Sequence, residues 1–227
     1  MTNDKIKQIL DMLNNLQENF LSLPDDMLLN IDPRDNESID QGAEFIKEYN
    51  DTLDQFIRIS SQIESQIKNH FGINPEEEEV EKEAVNRKRR NRIIKELDKS
   101  QTHTLHENFT FKRPFGFILG DSAYKGLKTW KSLYMQVLKE LDEKDSRLFS
   151  RLPQEDKFIS RRGNPLFSRN RDDLRVGEKV NSQIYAEINM SANGIRDTIT
   201  DLLKYFQIDL TSMRIYLRED RDASGGN

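Results

Sequence analysis

Between residues 4 and 20 apolar side chains recur at alternating spacings of three and four: Ile6, Ile9, Leu13, Leu16 and Phe20. This is a narrow helical seam of the coiled-coil kind. The stretch Ser22-Leu23-Pro24-Asp25-Asp26 reads as a stop and restart, with Ser22 as a cap and two acids in a new first turn. After a loop over 30–38, a long helix is predicted from Ser38 to Phe71. Its apolar positions, among them Ile46, Leu53, Ile57, Ile63 and Ile67, cover two adjacent seams and predict neighbours on two sides. Gly72 and Pro75 mark its end and the start of a third helix that runs to about Lys99. That helix has no apolar residue between Asn86 and Arg92, about two turns.

The pattern changes after Lys99. Residues 100–107 read as a polar linker, and 109–126 as a β-hairpin or two short strands with a turn at Gly120-Asp121. Thr129 caps a helix in which Trp130, Leu133, Tyr134, Val137, Leu138 and Leu141 form one stripe. Residues 151–183 read as a long loop and 183–190 as a strand. Ser191 caps a helix with Ile195, Thr198, Ile199, Leu202, Leu203 and Phe206 at the same offsets, 213–218 closes as a strand, and 220–227 is a tail. The expected fold class is therefore α+β. An all-α, coiled-coil-like region (1–99) precedes a small domain (108–219) of three or four strands and two amphipathic helices, both packed on one sheet face.

Composition narrows the function classes. The chain has 227 residues, no cysteine, and 33% charged residues. Disulfide frameworks and thiolate metal sites are excluded. The longest apolar runs, such as Phe115-Gly116-Phe117-Ile118-Leu119, are far below the ~20 residues needed to span a bilayer. No membrane partner is expected, and a cytoplasmic location is the default reading. The net charge of −5 is unevenly spread: residues 1–80 carry six Lys/Arg and 18 Asp/Glu, residues 81–99 eight and four, and the remainder 21 and 18.

Two segments are basic. Arg87, Lys88, Arg89, Arg90 and Arg92 follow a run of glutamates that starts at Glu76. This order complements a helix macrodipole by ~0.3–1 kcal/mol per well-placed charge. The pairs Glu78–Lys82 and Glu83–Arg87 add ~0.2–0.5 kcal/mol each. Those terms account for a free-standing helix but not for five cations on two polar turns. The second segment, 151–179, holds Arg161, Arg162, Arg169 and Arg171 with Phe158 and Phe167 interleaved. Its arginines suit phosphates, or they pair with the five acids of the same segment.

The pieces 129–149 (beginning Thr-Trp-Lys-Ser-Leu), 165–175 (Pro-Leu-Phe-Ser-Arg) and 184–217 (Ile-Tyr-Ala-Glu-Ile-Asn-Met-Ser-Ala-Asn-Gly-Ile) resemble a C-terminal module of uncharacterised bacterial and prophage-encoded proteins. Met190 stands where a leucine is usual in that pattern. Such proteins commonly place a helical or coiled segment before the module. The resemblance covers about half the chain. It implies the domain boundary near 108, a bacterial or mobile-element origin, and a regulatory or defence-related setting. The module has no assigned activity, so the resemblance implies no site residues.

Catalytic chemistry is sparse. His103 and His106, with Glu107, have the i, i+3 spacing of two metal ligands but not the order His-Glu-x-x-His. Glu187 sits on a predicted strand, as a metal-dependent hydrolase would need, but without a lysine close by. No motif implies a cofactor. The leading expectation is a non-enzymatic interaction protein that forms a homo-oligomer through its N-terminal helices. Ile6, Ile9, Leu13, Leu16 and Phe20, with Ile46, Leu53 and Ile57, are the expected interface. The alternatives are a nucleic-acid-binding protein that uses 87–92 and 151–179, a protein that binds another protein, and a metal-dependent hydrolase.

Overall fold

The structure is a computed structural model that describes residues 2–31, 35–71, 87–160 and 163–219. Helix α1 (Thr2–Asn30) and helix α2 (Asn36–Phe71) form an antiparallel hairpin. Phe20 meets Phe56 edge-on at 5.4 Å, and Leu53 and Ile57 are buried. Gly42 lies so close to Ile31 that a β-carbon there would collide with its side chain.

The predicted break at Pro24 does not occur, and α1 runs straight through it. Proline lacks the N–H that would reach the carbonyl four residues back, that of Phe20. The Tyr49 hydroxyl of α2 donates to that carbonyl at 3.0 Å instead. The hairpin partner thus supplies the hydrogen bond that α1 cannot make for itself.

Helix α3 (Arg87–Leu97) is the described part of the third predicted helix, whose Pro75–Asn86 portion lies outside the described residues. It does not complete an N-terminal bundle. Ile93 and Leu97 pack on Ile118, Ala123 and Tyr216, on one face of a sheet. That antiparallel sheet has the order β2-β1-β6, from β1 (Pro114–Leu119), β2 (Ser122–Lys125) and β6 (Met213–Leu217). Its other face contributes Phe117, Leu119, Tyr124, Met213, Ile215 and Leu217 to the main core, as the period-2 alternation of a strand requires. Gly116 leaves room for the Tyr124 carbonyl, which a β-carbon would strike.

The rest of the main core comes from helices α4 (Trp130–Lys144) and α6 (Ala192–Tyr205), each buried along its predicted stripe. Thr129 and Ser191 cap them, accepting from the Ser132 and Gly194 amides. A short helix α5 (Ser146–Phe149) follows α4. The segment read as one long loop contains two small strands, β3 (Phe167–Ser168) and β4 (Gly177–Lys179). They flank β5 (Tyr185–Glu187) in a second antiparallel sheet, β3-β5-β4. The described residues thus hold six strands rather than three or four. Strands of two and three residues leave no period for a sequence to display. The linker is also structured. His103 exchanges two backbone hydrogen bonds, each 2.9 Å, with Ile215 and so extends the first sheet beyond β6.

The Tyr49–Phe20 bond gives a direct test. Tyr49→Phe should lower the unfolding free energy by about 1–2 kcal/mol, the cost of a partly buried carbonyl left without a donor. Pro24→Ala restores the N–H, so in that background Tyr49→Phe should cost about 1 kcal/mol less. Urea unfolding of the four proteins measures this coupling.

Candidate functional site: the junction of hairpin and domain

Among the described residues a dense set of polar contacts lies where the hairpin meets the domain. The hairpin supplies carboxylates at four points. Asp11 pairs with Lys128 at 2.9 Å. Glu18 accepts from the Trp130 amide, the first of α4, and has Arg113 at 3.4 Å. Asp25 accepts from Ser191 (2.9 Å) and Asn193 (3.0 Å) at the start of α6. Asp54 accepts from Asn189 (2.7 Å) and lies 3.3 Å from Arg175. Arg113 also donates to the Asn15 carbonyl at 3.2 Å and to Asn19. A short charged side chain on each helix therefore finds a donor on the domain.

Much of the domain side comes from the pieces quoted above for their resemblance, and Phe109, Lys112, Arg113 and Lys128 lie outside them. Glu187 is buried on β5, and its carboxylate accepts from the backbone amides of Arg175 (2.7 Å), Val176 (3.2 Å) and Asn189 (2.8 Å). It fixes the turn before β4 and the chain after β5, and so presents Asn189 to Asp54. Ser191 has two roles, as cap of α6 and as donor to Asp25. The Asn193 side-chain amide oxygen accepts from the Phe109 amide (2.9 Å) and from Arg196 (3.0 Å). The Trp130 indole donates to the Lys112 carbonyl (2.8 Å), and its ring lies 4.7 Å from that of Phe109. A carboxylate that accepts from three amides holds the backbone around it in place.

A cavity of about 50 Å³ lies inside the junction, lined by Gln17, Glu18, Ser22, Ile57, Asn189 and Ile195 among others. The buried atoms Gln17 Nε2, Glu18 Oε2 and Asn189 Oδ1 make no protein hydrogen bond. The Arg113–Glu18 pair is therefore an ion pair without hydrogen-bond alignment. Burial pushes the Glu18 carboxyl up to about 7, against the opposing pull of Arg113, the Trp130 amide and Arg218.

The other sequence candidates do not converge here. His103 is buried with Nδ1 2.6 Å from Glu107, while His106 is exposed. Burial pushes Glu107 up, but the His103 ring and the Thr104 amide together hold it below its ordinary range. Among the described residues no group of three or more His, Cys, Asp or Glu is placed to hold a metal ion. Of the two basic segments, Arg161 and Arg162 lie outside the described residues, as do the side chains of Arg87, Lys88, Arg89 and Arg90. Arg92 pairs with Glu96 at 3.0 Å. Arg169 donates to the Ser150 carbonyl at 3.3 Å, and Arg171 to the Gly177 carbonyl at 3.2 Å. Of the eight expected interface residues, Ile6, Leu53 and Ile57 are buried within the chain, Leu13, Phe20 and Ile46 are half-buried, and Ile9 and Leu16 are exposed. Glu18 and Asp54 were not singled out from sequence. Each lies among apolar helical neighbours, and that position is the one signal the sequence offers.

Glu18 makes stability depend on pH. Its folded-state value of about 7 exceeds the ordinary 4.5, so the folded protein holds the proton more tightly. Stability is then highest below pH ~4.5 for this group and falls by up to about 3 kcal/mol as pH rises to ~7. Glu107 and Asp209 are held below their ordinary range and titrate beneath that window. Urea unfolding at pH 5 and pH 8 should show the fall in the wild type and little of it in Glu18→Gln. A slope unchanged by Glu18→Gln would assign the titration elsewhere. Glu187→Ala, which strips three amides of their acceptor, should cost about 3–5 kcal/mol by the same assay.

No protein-family model, no curated protein and no solved structure matches this chain.

Proposed function

We infer that this is a non-enzymatic interaction protein that associates with a second copy of itself through the outer face of its helical hairpin. One observation carries the reading. Ile9, Met12 and Leu16 on α1, and Ile59 and Ile63 on α2, are 42–61% exposed. Positions 9, 12 and 16 share one face of a helix, as do 59 and 63. On α1 the residues that meet the domain (Asp11, Glu18 and Asp25) occupy a different face, and on α2 so does Asp54. The hairpin therefore meets its own domain through carboxylates and turns large aliphatic side chains outward.

Charge supports a second copy in one orientation. Residues 20–51, which surround the hairpin turn, carry nine acids against Arg34 and Lys47, a formal −7. The open end, residues 2–12 and 60–71, carries three acids and three lysines, a formal zero. A parallel pair would oppose two −7 ends, whereas a twofold antiparallel pair lays each −7 end along a neutral one. The buried members of the expected interface, Ile6, Leu53 and Ile57, serve the hairpin's own packing in this arrangement, and Ile9 and Leu16 serve the contact between copies.

Light scattering after size exclusion, at roughly tens of micromolar protein, tests this. The wild type should run as a dimer, and added salt should strengthen it by screening the net negative hairpins. Ile9→Asp or Ile63→Asp should give a folded monomer with unchanged circular dichroism. A strictly monomeric wild type would sink the proposal. A dimer indifferent to both substitutions would move the contact elsewhere.

A further inference from the structure

Phe111 is the one described phenylalanine or tyrosine with a positive φ, 58°, and it is 44% exposed. Bulky residues avoid this backbone region, which here carries an aromatic ring outward from a tight turn closed by the Lys112 amide on the Phe109 carbonyl (3.0 Å). Two residues later comes Arg113, and near it are Lys128 and Arg218. Arg218 reaches the Lys128 carbonyl at 3.4 Å and acts electrostatically on Glu18, as Arg113 does. Next to these cations is a cleft of about 250 Å³ lined by Asn14, Asn15, Phe115, Thr129 and Arg218, among others.

Two of the three cations, Lys128 and Arg113, already bind oxyanions, namely the hairpin's own. The Asp11 carboxylate takes Lys128 with both oxygens, at 2.9 and 3.0 Å. Glu18 takes Arg113 and the first amide of α4. Burial opposes the charge on Glu18, so this internal ligand is held less tightly than a fully ionised oxyanion would be.

We propose that Phe111, Arg113, Lys128 and Arg218 form a binding surface for the backbone and bases of single-stranded nucleic acid, which the hairpin partly occupies through Asp11 and Glu18. Phosphate oxygens take the place of the two carboxylates, and a base stacks on the outward ring of Phe111. The ring favours this class over an acidic peptide, since every base offers a face to stack while an acidic side chain does not. The surface is distinct from the basic segments 87–92 and 151–179. It also stands independently of the contact between copies, because its residues lie on the domain and on the hairpin side turned toward it.

Fluorescence anisotropy of a labelled single-stranded oligothymidylate with the full-length protein tests this. The Asp11→Asn/Glu18→Gln variant, which keeps the polar contacts and removes the competing charge, should bind roughly three- to tenfold tighter than wild type. If three phosphates are neutralised at ~0.7 counterions each, its affinity should fall about fifteen- to twentyfold between 50 and 200 mM salt. In that background Lys128→Ala, at an exposed side chain, should weaken binding and lower the salt slope by about 0.7. Phe111→Ala should weaken it at least about fivefold without lowering the slope. Circular dichroism of each variant confirms folding. No gain from Asp11→Asn/Glu18→Gln overturns the competition with the hairpin. Binding that Phe111→Ala leaves untouched, or equal binding of duplex, overturns the single-stranded assignment. An Ile9→Asp protein that is monomeric yet binds normally keeps this surface separate from self-association.

Discussion

Trp130 joins parts of the chain that are far apart in sequence. Its amide is held by Glu18 of the hairpin, its indole by the Lys112 carbonyl, and its ring by Phe109, while its own helix opens at the Thr129 cap. A wholly buried indole needs a partner for its N–H, and it finds that partner in the segment leading to β1. The same segment supplies Arg113, which reaches back to α1 through Asn15, Asn19 and Glu18. The angle at which the hairpin lies on the domain is therefore tied to the packing of one tryptophan. A change at this residue would be felt in both parts.

The junction that results is polar, and this has consequences for motion and for binding. Polar contacts between parts of a chain hold less firmly than a shared apolar core, since each carboxylate regains water when the contact opens. At Glu18 the balance is closest: the group gives up hydration, gains one amide and an imperfectly aligned guanidinium, and stays partly protonated near neutral pH. The hairpin thus has an ionic inner side whose hold depends on pH, and an outer side that exposes aliphatic residues.

Much of the fold was legible because it rests on local rules. Thr129 and Ser191 are caps followed by stripes of 3.6 periodicity, and Gly120-Asp121 marks a hairpin with a positive φ at Gly120. These features need no tertiary context. Pro24 was misread because the local rule is correct and a distant residue overrides it: nothing near Pro24 in sequence announces that Tyr49 will donate to the Phe20 carbonyl. The short strands β3 and β4 form because β5 lies between them and Glu187 ties down the Arg175 and Val176 amides. Two or three residues carry no period of their own. The site was legible only in part. Glu187, Asn189, Ser191 and Asn193 were visible as a pattern, but a pattern of polar residues does not say what it holds, and the acids it meets lie more than a hundred residues away.

That separation explains why α3 belongs with the domain although its sequence reads as a continuation of the helical region. Ile93 and Leu97 are spaced i, i+4 and form a patch of one turn, too small to bury against a two-seamed helix pair but matched to the face that Ile118, Ala123 and Tyr216 leave uncovered. Gly116 makes that face shallow, so the Leu97 side chain can come close to the backbone of β1. On the same side Asp98 accepts from the Tyr216 hydroxyl at 3.1 Å and from Arg214 at 2.9 Å, and Glu96, held at about 2 by Lys125 and Arg92, ties the helix to β2. The sheet is therefore covered on both faces, by α3 on one side and by α4 and α6 on the other. Among the described residues no third helix covers the outer side of the hairpin.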